Sequence, residues 1–272
     1  LWRQAKRVAE LNARFAAGGA QHCIEHRPSG ARTAGVHAGV LVSQVEPRSS
    51  QDFSMWMPRP ADLGRDLSDR YAASLINARI RGLYYNSRFH RSVPGIIFAP
   101  NVSLFCAYPS GSNSNSKRCN VTGGGPYSSY IDAGYSTLQL DLVPERASCV
   151  PGCFPDGMQC GETRAPHRGC SYPPSRLCET LQTWEEVQAG AHFESEFNHL
   201  YTEIIVDARS VVNDPVAAID GFFLMTLASP SANSATRKAH AGFIRKYGLD
   251  SAAGPPLVLL ELGAEQPFSL AS

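Results

Sequence analysis

The chain has 272 residues, a formal net charge of +1 and a mean hydropathy of −0.20. At this length a single chain buries a sizeable core without staples, and near-neutrality leaves no global field directed at nucleic acid or an anionic membrane. Apolar residues make up 43% and charged residues 18%, within the globular range, and no apolar run reaches the ~18 residues of a transmembrane helix.

Residues 1–17 (LWRQAKRVAELNARFAA) predict an amphipathic helix. Trp2, Ala5, Val8 or Ala9 and Phe15 recur at helical spacing, and Gly18 and Gly19 end it. HAGVLVSQVE (37–46) is Val-rich and short, a strand. RDLSDRYAASLINARIRGLYY (65–85) predicts a second helix, with Leu67, Tyr71, Leu75, Ala78 and Leu83 near one face and Ser74 and Asn77 placed to reach a pocket. VPGIIFAP and SLFCAYP, separated by Asn101, read as a pair of strands. STLQLDLVPE (136–145) alternates as a half-buried strand, and SRLCETLQTWEEVQ (175–188) predicts a helix that Pro174 opens.

The last 75 residues carry the clearest pattern. LYTEIIVDA is a strand, and DPVAAI opens a helix with Asp214 as cap and Pro215 at the first helical position. GFFLMTLA is a second apolar run. SANSATRKAHAGFIRKYGL is a helix closed by Gly248, and PPLVLLEL is a last strand. Strands separated by helical connections predict an α/β or α+β domain spanning 1–272, with a mixed sheet flanked by helices.

One insertion interrupts this pattern. Residues 149–178 hold five of the eight cysteines, Cys149, Cys153, Cys160, Cys170 and Cys178, among Pro, Gly and Arg. Zinc sites draw ligands from paired C-x2-4-C units. Here CVPGC stands without a second pair, and nothing in the spacing requires His167 as a fourth ligand. With Cys23, Cys106 and Cys119 the total is even, so the expectation is a disulfide-stapled loop in an oxidising compartment. Cys23 lies between His22 and His26, an arrangement that metal or nucleophile chemistry can use. Pairing with another cysteine is the preferred reading there. Asn101-Val-Ser and Asn120-Val-Thr are N-glycosylation sequons. Together these features predict a secreted or secretory-pathway glycoprotein. The sequence begins at Leu1 rather than Met, so a processed or partial form that has lost any signal segment is expected.

The candidate catalytic residues lie in HFESEFNHLYTEIIVDARS (192–210). Glu203 and Asp207, four apart in a strand, belong to one face, with Ile204 and Val206 on the other. Glu194, Glu196 and His199 precede them, which suits an acid/base group or a hard-metal site, and Glu203, Asp207 and His199 form the candidate catalytic set. The competing expectation is an edge strand whose carboxylates are solvated or pair with Arg209. His240 is expected to be a packed or capping histidine. The sequence lacks G-x-S-x-G, Walker, G-x-G-x-x-G and H-E-x-x-H patterns, so no cofactor or resident metal is expected.

The ordered blocks GVLVSQVE, DRYAASLINARI, VPGIIFAPNVSLFCAYPSG, CVPGC, YTEIIVD and HAGFIRKYGL resemble a family of uncharacterised cysteine-containing proteins of dinoflagellates and related phytoplankton. The resemblance covers about residues 5–270. Where that family has Tyr-Asn-Glu, this chain has Tyr201-Thr202-Glu203, and the resemblance implies no activity. Two functional readings follow. One is an extracytosolic transferase or hydrolase with Glu203 as acid or base. A specific version places Ser43, Ser74 and Glu203 in the order of an ADP-ribosyltransferase-like site, with a gap before Glu203 longer than that fold has. The other is a non-enzymatic glycoprotein that binds a glycan or a protein partner through aromatic loops such as those around Trp56 and GPYSSYIDAGY.

The cysteine reading predicts an intact mass lower by about eight hydrogens than that of the reduced chain, with no bound zinc. Recovery of the fully reduced mass with one zinc would instead make 149–178 a metal loop.

Overall fold

The protein is described by a computed structural model over residues 2–19, 39–45, 70–83, 92–102, 104–108 and 203–271. These residues form helix α1 (Trp2–Ala17), strands β1 (Val40–Gln44), β2 (Arg70–Ile76), β3 (Gly95–Phe98), β4 (Leu104–Tyr108) and β5 (Glu203–Asp207), and short helices α2 (Ala208–Asn213) and α3 (Pro215–Ala218). Strand β6 (Ile219–Met225), helix α4 (Pro230–Lys246) and strands β7 (Leu257–Leu260) and β8 (Phe268–Leu270) complete them. The eight strands make one sheet in the order β4-β5-β2-β1-β3-β6-β7-β8. Its neighbours are antiparallel except for β6 and β7, which run parallel and are joined through α4. The expected mixed sheet flanked by helices is therefore present, in α+β form.

The sheet is covered on both faces. On one, Leu41, Leu75, Ile96, Phe98, Ile204, Val206 and Phe222 pack in a cluster with Ala239 and Phe243 of α4. On the other, Val40, Val42, Ile76, Ile97, Phe223, Val258 and Phe268 pack with Val8, Leu11 and Phe15 of α1. Full burial of one such side chain contributes about 1.5–3 kcal/mol, so both helices are integral to the sheet. Trp2, read from spacing as part of the inward face of α1, is instead 76% exposed. The inward face is Val8, Leu11 and Phe15, one turn apart, with Asn12 and Arg14 beside them.

The helix expected over 65–85 is a strand at its centre. Ala73, Ser74, Leu75 and Ile76 are all buried, because β2 lies between β1 and β5 and is covered on both sides. A strand buried on both faces shows no polar–apolar alternation, so its apolar residues fall into a helical spacing by coincidence. Asn77 ends it: its Oδ1 accepts the N–H groups of Arg79 and Ile80, both at 2.8 Å, which turns the chain out of the sheet. The two strands expected as a pair, β3 and β4, are both present but separated. β3 lies between β1 and β6, while β4 lies outside β5. Gly95 allows the first placement, since a Cβ there would stand 1.9 Å from Ser43 O on β1. β8 and α2 carry too few residues for periodicity to reveal them. The strand read at 136–145, the helix at 175–188 and the loop 149–178 lie outside the described residues.

The C-terminal helices follow their sequence signals. Asp214 caps α3 by accepting the Ala217 N–H at 3.1 Å, ahead of Pro215. Ser229 caps α4 by accepting the Ala232 N–H at 3.2 Å. At the far end Gly248 takes φ +60°, with its N–H bonded to Arg245 O and the Leu249 N–H to Ile244 O. This pairing is the Schellman closure for which glycine is suited.

Two asparagines tie the helices to strand ends in the same way. Asn12 of α1 donates through Nδ2 to Phe268 O at 2.8 Å and accepts the Phe268 N–H at 3.0 Å. Asn233 of α4 donates to Met225 O at 2.9 Å and accepts the Met225 N–H at 3.3 Å. The Asn12 amide thus satisfies both backbone groups of a residue on the outermost strand. Replacing Asn12 by Ala is expected to lower unfolding stability by about 1–3 kcal/mol. Urea melts that superimpose on the wild type would show that water replaces the amide there at no cost.

Candidate functional site

The candidate acid/base strand, β5, is the second strand from one edge of the sheet, between β4 and β2, rather than an edge strand. Its register with β2 steps from Arg70 opposite Asp207 through Ala72 opposite Ile205 to Ala73 opposite Ile204. The next step sets position 203 beside Ser74. On the other side Glu203 lies opposite Tyr108 of β4, and Ser74 lies opposite Val42 of β1. Positions 108, 203, 74 and 42 therefore form one row across four strands. The expected division of β5 holds as well: Ile204 and Val206 are buried in the core beneath α4, and by strand parity 203 and 207 belong to the other face.

Asp207 is committed to local structure. It ends β5, caps α2 and is almost fully buried. Its Oδ1 accepts both the backbone N–H and the Nε–H of Arg209, each at 3.0 Å, and its Oδ2 accepts Nη2–H at 3.0 Å. This bidentate fork and cap occupy both carboxylate oxygens. The pairing with Arg209 matches the competing sequence expectation at this residue.

The other candidates divide between described and undescribed residues. His199, Glu194, Glu196, Asn120 and Cys23, Cys119, Cys149, Cys153, Cys160, Cys170 and Cys178 lie outside the described residues. Cys106 lies within β4, with its backbone opposite Ile205. Asn101 is exposed in the turn that leaves β3, where the Val102 N–H bonds Ala99 O at 3.2 Å. Ser43 and Ser74 do not converge. Ser43 is registered with Ile96 and Ser74 with Val42, so they belong to opposite faces of the sheet, and the ordered set Ser43, Ser74 and Glu203 is not brought together. Among the described residues, no group of three or more His, Cys, Asp or Glu is placed to hold a metal ion. Nor is any described helix long and apolar enough to cross a membrane.

His240 is a packed histidine, as its position on α4 predicts. Its Nε2 lies 2.9 Å from Pro255 O, at the start of the β7 segment, and its ring meets Phe222 edge-on at 5.3 Å between centroids. With Nε2 as the donor, the ring ties α4 to the chain entering β7. Desolvation by burial lowers its pKa below 6.5, outweighing the Pro255 hydrogen bond, which acts in the raising direction. Sequence reasoning missed two residues with structural roles. One is Arg81, which donates to Leu262 O at 2.7 Å and Ala264 O at 3.1 Å and lies 5.2 Å over the Phe15 ring. The other is Asn12. Neither carries a sequence signal, because each depends on partners more than 180 residues away.

In comparison with known proteins, the chain matches no protein-family model and no curated protein sequence.

The lowered His240 pKa predicts a pH dependence whose sign is fixed. Below the unfolded-state value of 6.5 the unfolded chain binds a proton that the folded chain resists. The contribution is therefore present above that pH and is lost as pH falls towards the lowered native value. The His240→Gln variant should show a smaller loss of unfolding free energy between neutral and mildly acidic pH than the wild type. Parallel pH profiles for the two proteins would remove His240 as the source.

Proposed function

We propose that the protein is an enzyme of the transferase or hydrolase class, acting in the secretory pathway or outside the cell, with Glu203 as its acid or base. The observation that carries this reading is the row formed by Tyr108, Glu203 and Ser74 on neighbouring strands. It sets a carboxylate between two hydroxyl-bearing residue types near one edge of the sheet. The second carboxylate of β5, Asp207, is already held by Arg209. A glutamate flanked by hydroxyl donors can take up or deliver a proton at a bound substrate, and positioned acid/base groups contribute typically ~10²–10⁴-fold to rate. His199 keeps its place as a second member of the set, and disulfides and N-glycosylation belong to the same reading through the compartment. So does membership of the cysteine-containing family of dinoflagellates and related phytoplankton, which contributes no activity.

A second reading, a non-enzymatic glycoprotein that binds a glycan or protein partner, draws on the exposure of Asn101 in its sequon and of Trp2 on the outer face of α1.

The test is turnover of a panel of aryl glycosides and acyl esters by the wild type and by Glu203→Gln. A loss of about 10²-fold or more in kcat/KM, with the urea midpoint unchanged, is the expected result. Equal turnover by the two proteins would falsify the role of Glu203. A drop in stability in place of a drop in rate would make the residue structural. Saturable glycan binding without turnover by the wild type would favour the second reading.

A further inference from the structure

We infer that the outer edge of β8 is a strand-pairing surface for a second copy of this chain, and that the Asn12 amide holds it shut. β8 ends the sheet, so one of its two edges has no neighbouring strand. On the β7 side, the Glu261 N–H bonds Pro267 O at 2.9 Å and the Ala271 N–H bonds Leu257 O at 3.1 Å. Residues 267, 269 and 271 therefore direct their backbone groups at β7, and Phe268 and Leu270 direct theirs outward. An edge of this kind is a template for another strand.

Asn12 stands where that strand would lie. Its amide donates to Phe268 O at 2.8 Å and accepts the Phe268 N–H at 3.0 Å, the pair of bonds that a residue directly opposite on an antiparallel strand would make. The fold uses the same device elsewhere in the sheet. Phe223 is the last residue of β6 registered with β3. Two residues on, Asn233 takes up both the N–H and the C=O of Met225. Beyond Phe268 the β8 edge is open, with Ser269 exposed and Leu270 38% exposed.

The partner is a second copy because the edge is complementary to itself. Two β8 strands related by a two-fold axis at Ser269 would pair antiparallel, with Phe268 of each opposite Leu270 of the other. Every backbone hydrogen bond between those opposed residues uses the N–H or the C=O of a Phe268. One amide per chain is therefore enough to close that register, and Leu270 alone is too little edge for a strand pair. Residues 267–271 carry no charged side chain, so the protection that charge gives to many edge strands falls here to Asn12.

The test is sedimentation equilibrium of the full chain across the micromolar range. The wild type is expected to keep the mass of one chain, and Asn12→Ala to rise with concentration towards twice that mass. Asn12→Leu keeps the branched shape without either polar group, and serves where the alanine variant folds poorly. Adding Leu270→Pro removes an outward N–H and leaves the bonds to β7 in place, so the double variant is expected to return to the mass of one chain. A folded Asn12→Ala or Asn12→Leu that stays monomeric would overturn the inference. So would a wild type that is already dimeric, or a variant dimer that Leu270→Pro leaves unchanged. Hydrogen exchange on the wild type gives an independent reading, in which the Phe268 amide is expected to exchange roughly tenfold or more slowly than the Leu270 amide. Equal rates would show that Asn12 does not cover the edge. None of these readouts involves Glu203 or turnover.

Discussion

The sheet is buried on both faces, between α1 and α4, and most features of this protein follow from that constraint. Central strands sandwiched in this way have no solvent side, so β1, β2 and β3 are apolar almost throughout. Each polar residue admitted to the interior therefore needs an internal partner. Asn77 finds two backbone N–H groups, Thr236 donates to Ala232 O, and Asp207 receives Arg209 and the first turn of α2.

The two covering helices are held by polar groups at their margins as well as by apolar packing. Asn12 and Asn233 each bind both backbone groups of one strand residue. Arg14 of α1 forms an ion pair with Asp220 of β6. The carbonyl of Phe15 accepts the Ala78 N–H at 3.0 Å where β2 has ended. These contacts set the position of α1 along the sheet, while Val8, Leu11 and Phe15 provide its burial. α1 thereby joins the start of the described chain to β8, whose Phe268 is bonded by an asparagine more than 250 residues upstream as well as by β7.

The same economy separates the two carboxylates of β5. Asp207 lies at the junction of strand and helix, where the free N–H groups of the first helical turn and a nearby arginine consume it. Glu203 lies at the opposite end of the strand, in a row with Tyr108 and Ser74. Two acidic residues of similar intrinsic chemistry thus receive different roles from their places along five residues of backbone. The proposal of Glu203 as acid or base takes that difference as its starting point.

Local rules determined a good part of this protein from the sequence alone. The Pro215 and Asp214 start, the Gly248 stop, the GG stop after α1 and the short Val-rich run of β1 are signals whose physics is complete within a few residues, and each element formed where those signals placed it. The strand of Glu203 and Asp207 was legible too, with its division into a core face and a carboxylate face. The pairing of Asp207 with Arg209, two residues on, was among the sequence expectations as well. Only the tertiary structure decided that 70–76 is a strand, that β3 and β4 lie apart and that Trp2 faces outward. In each case the deciding interaction joins residues distant in sequence, or depends on which faces the sheet leaves open to water. Periodicity records how polar and apolar residues alternate along a chain, and a strand covered on both sides erases that record.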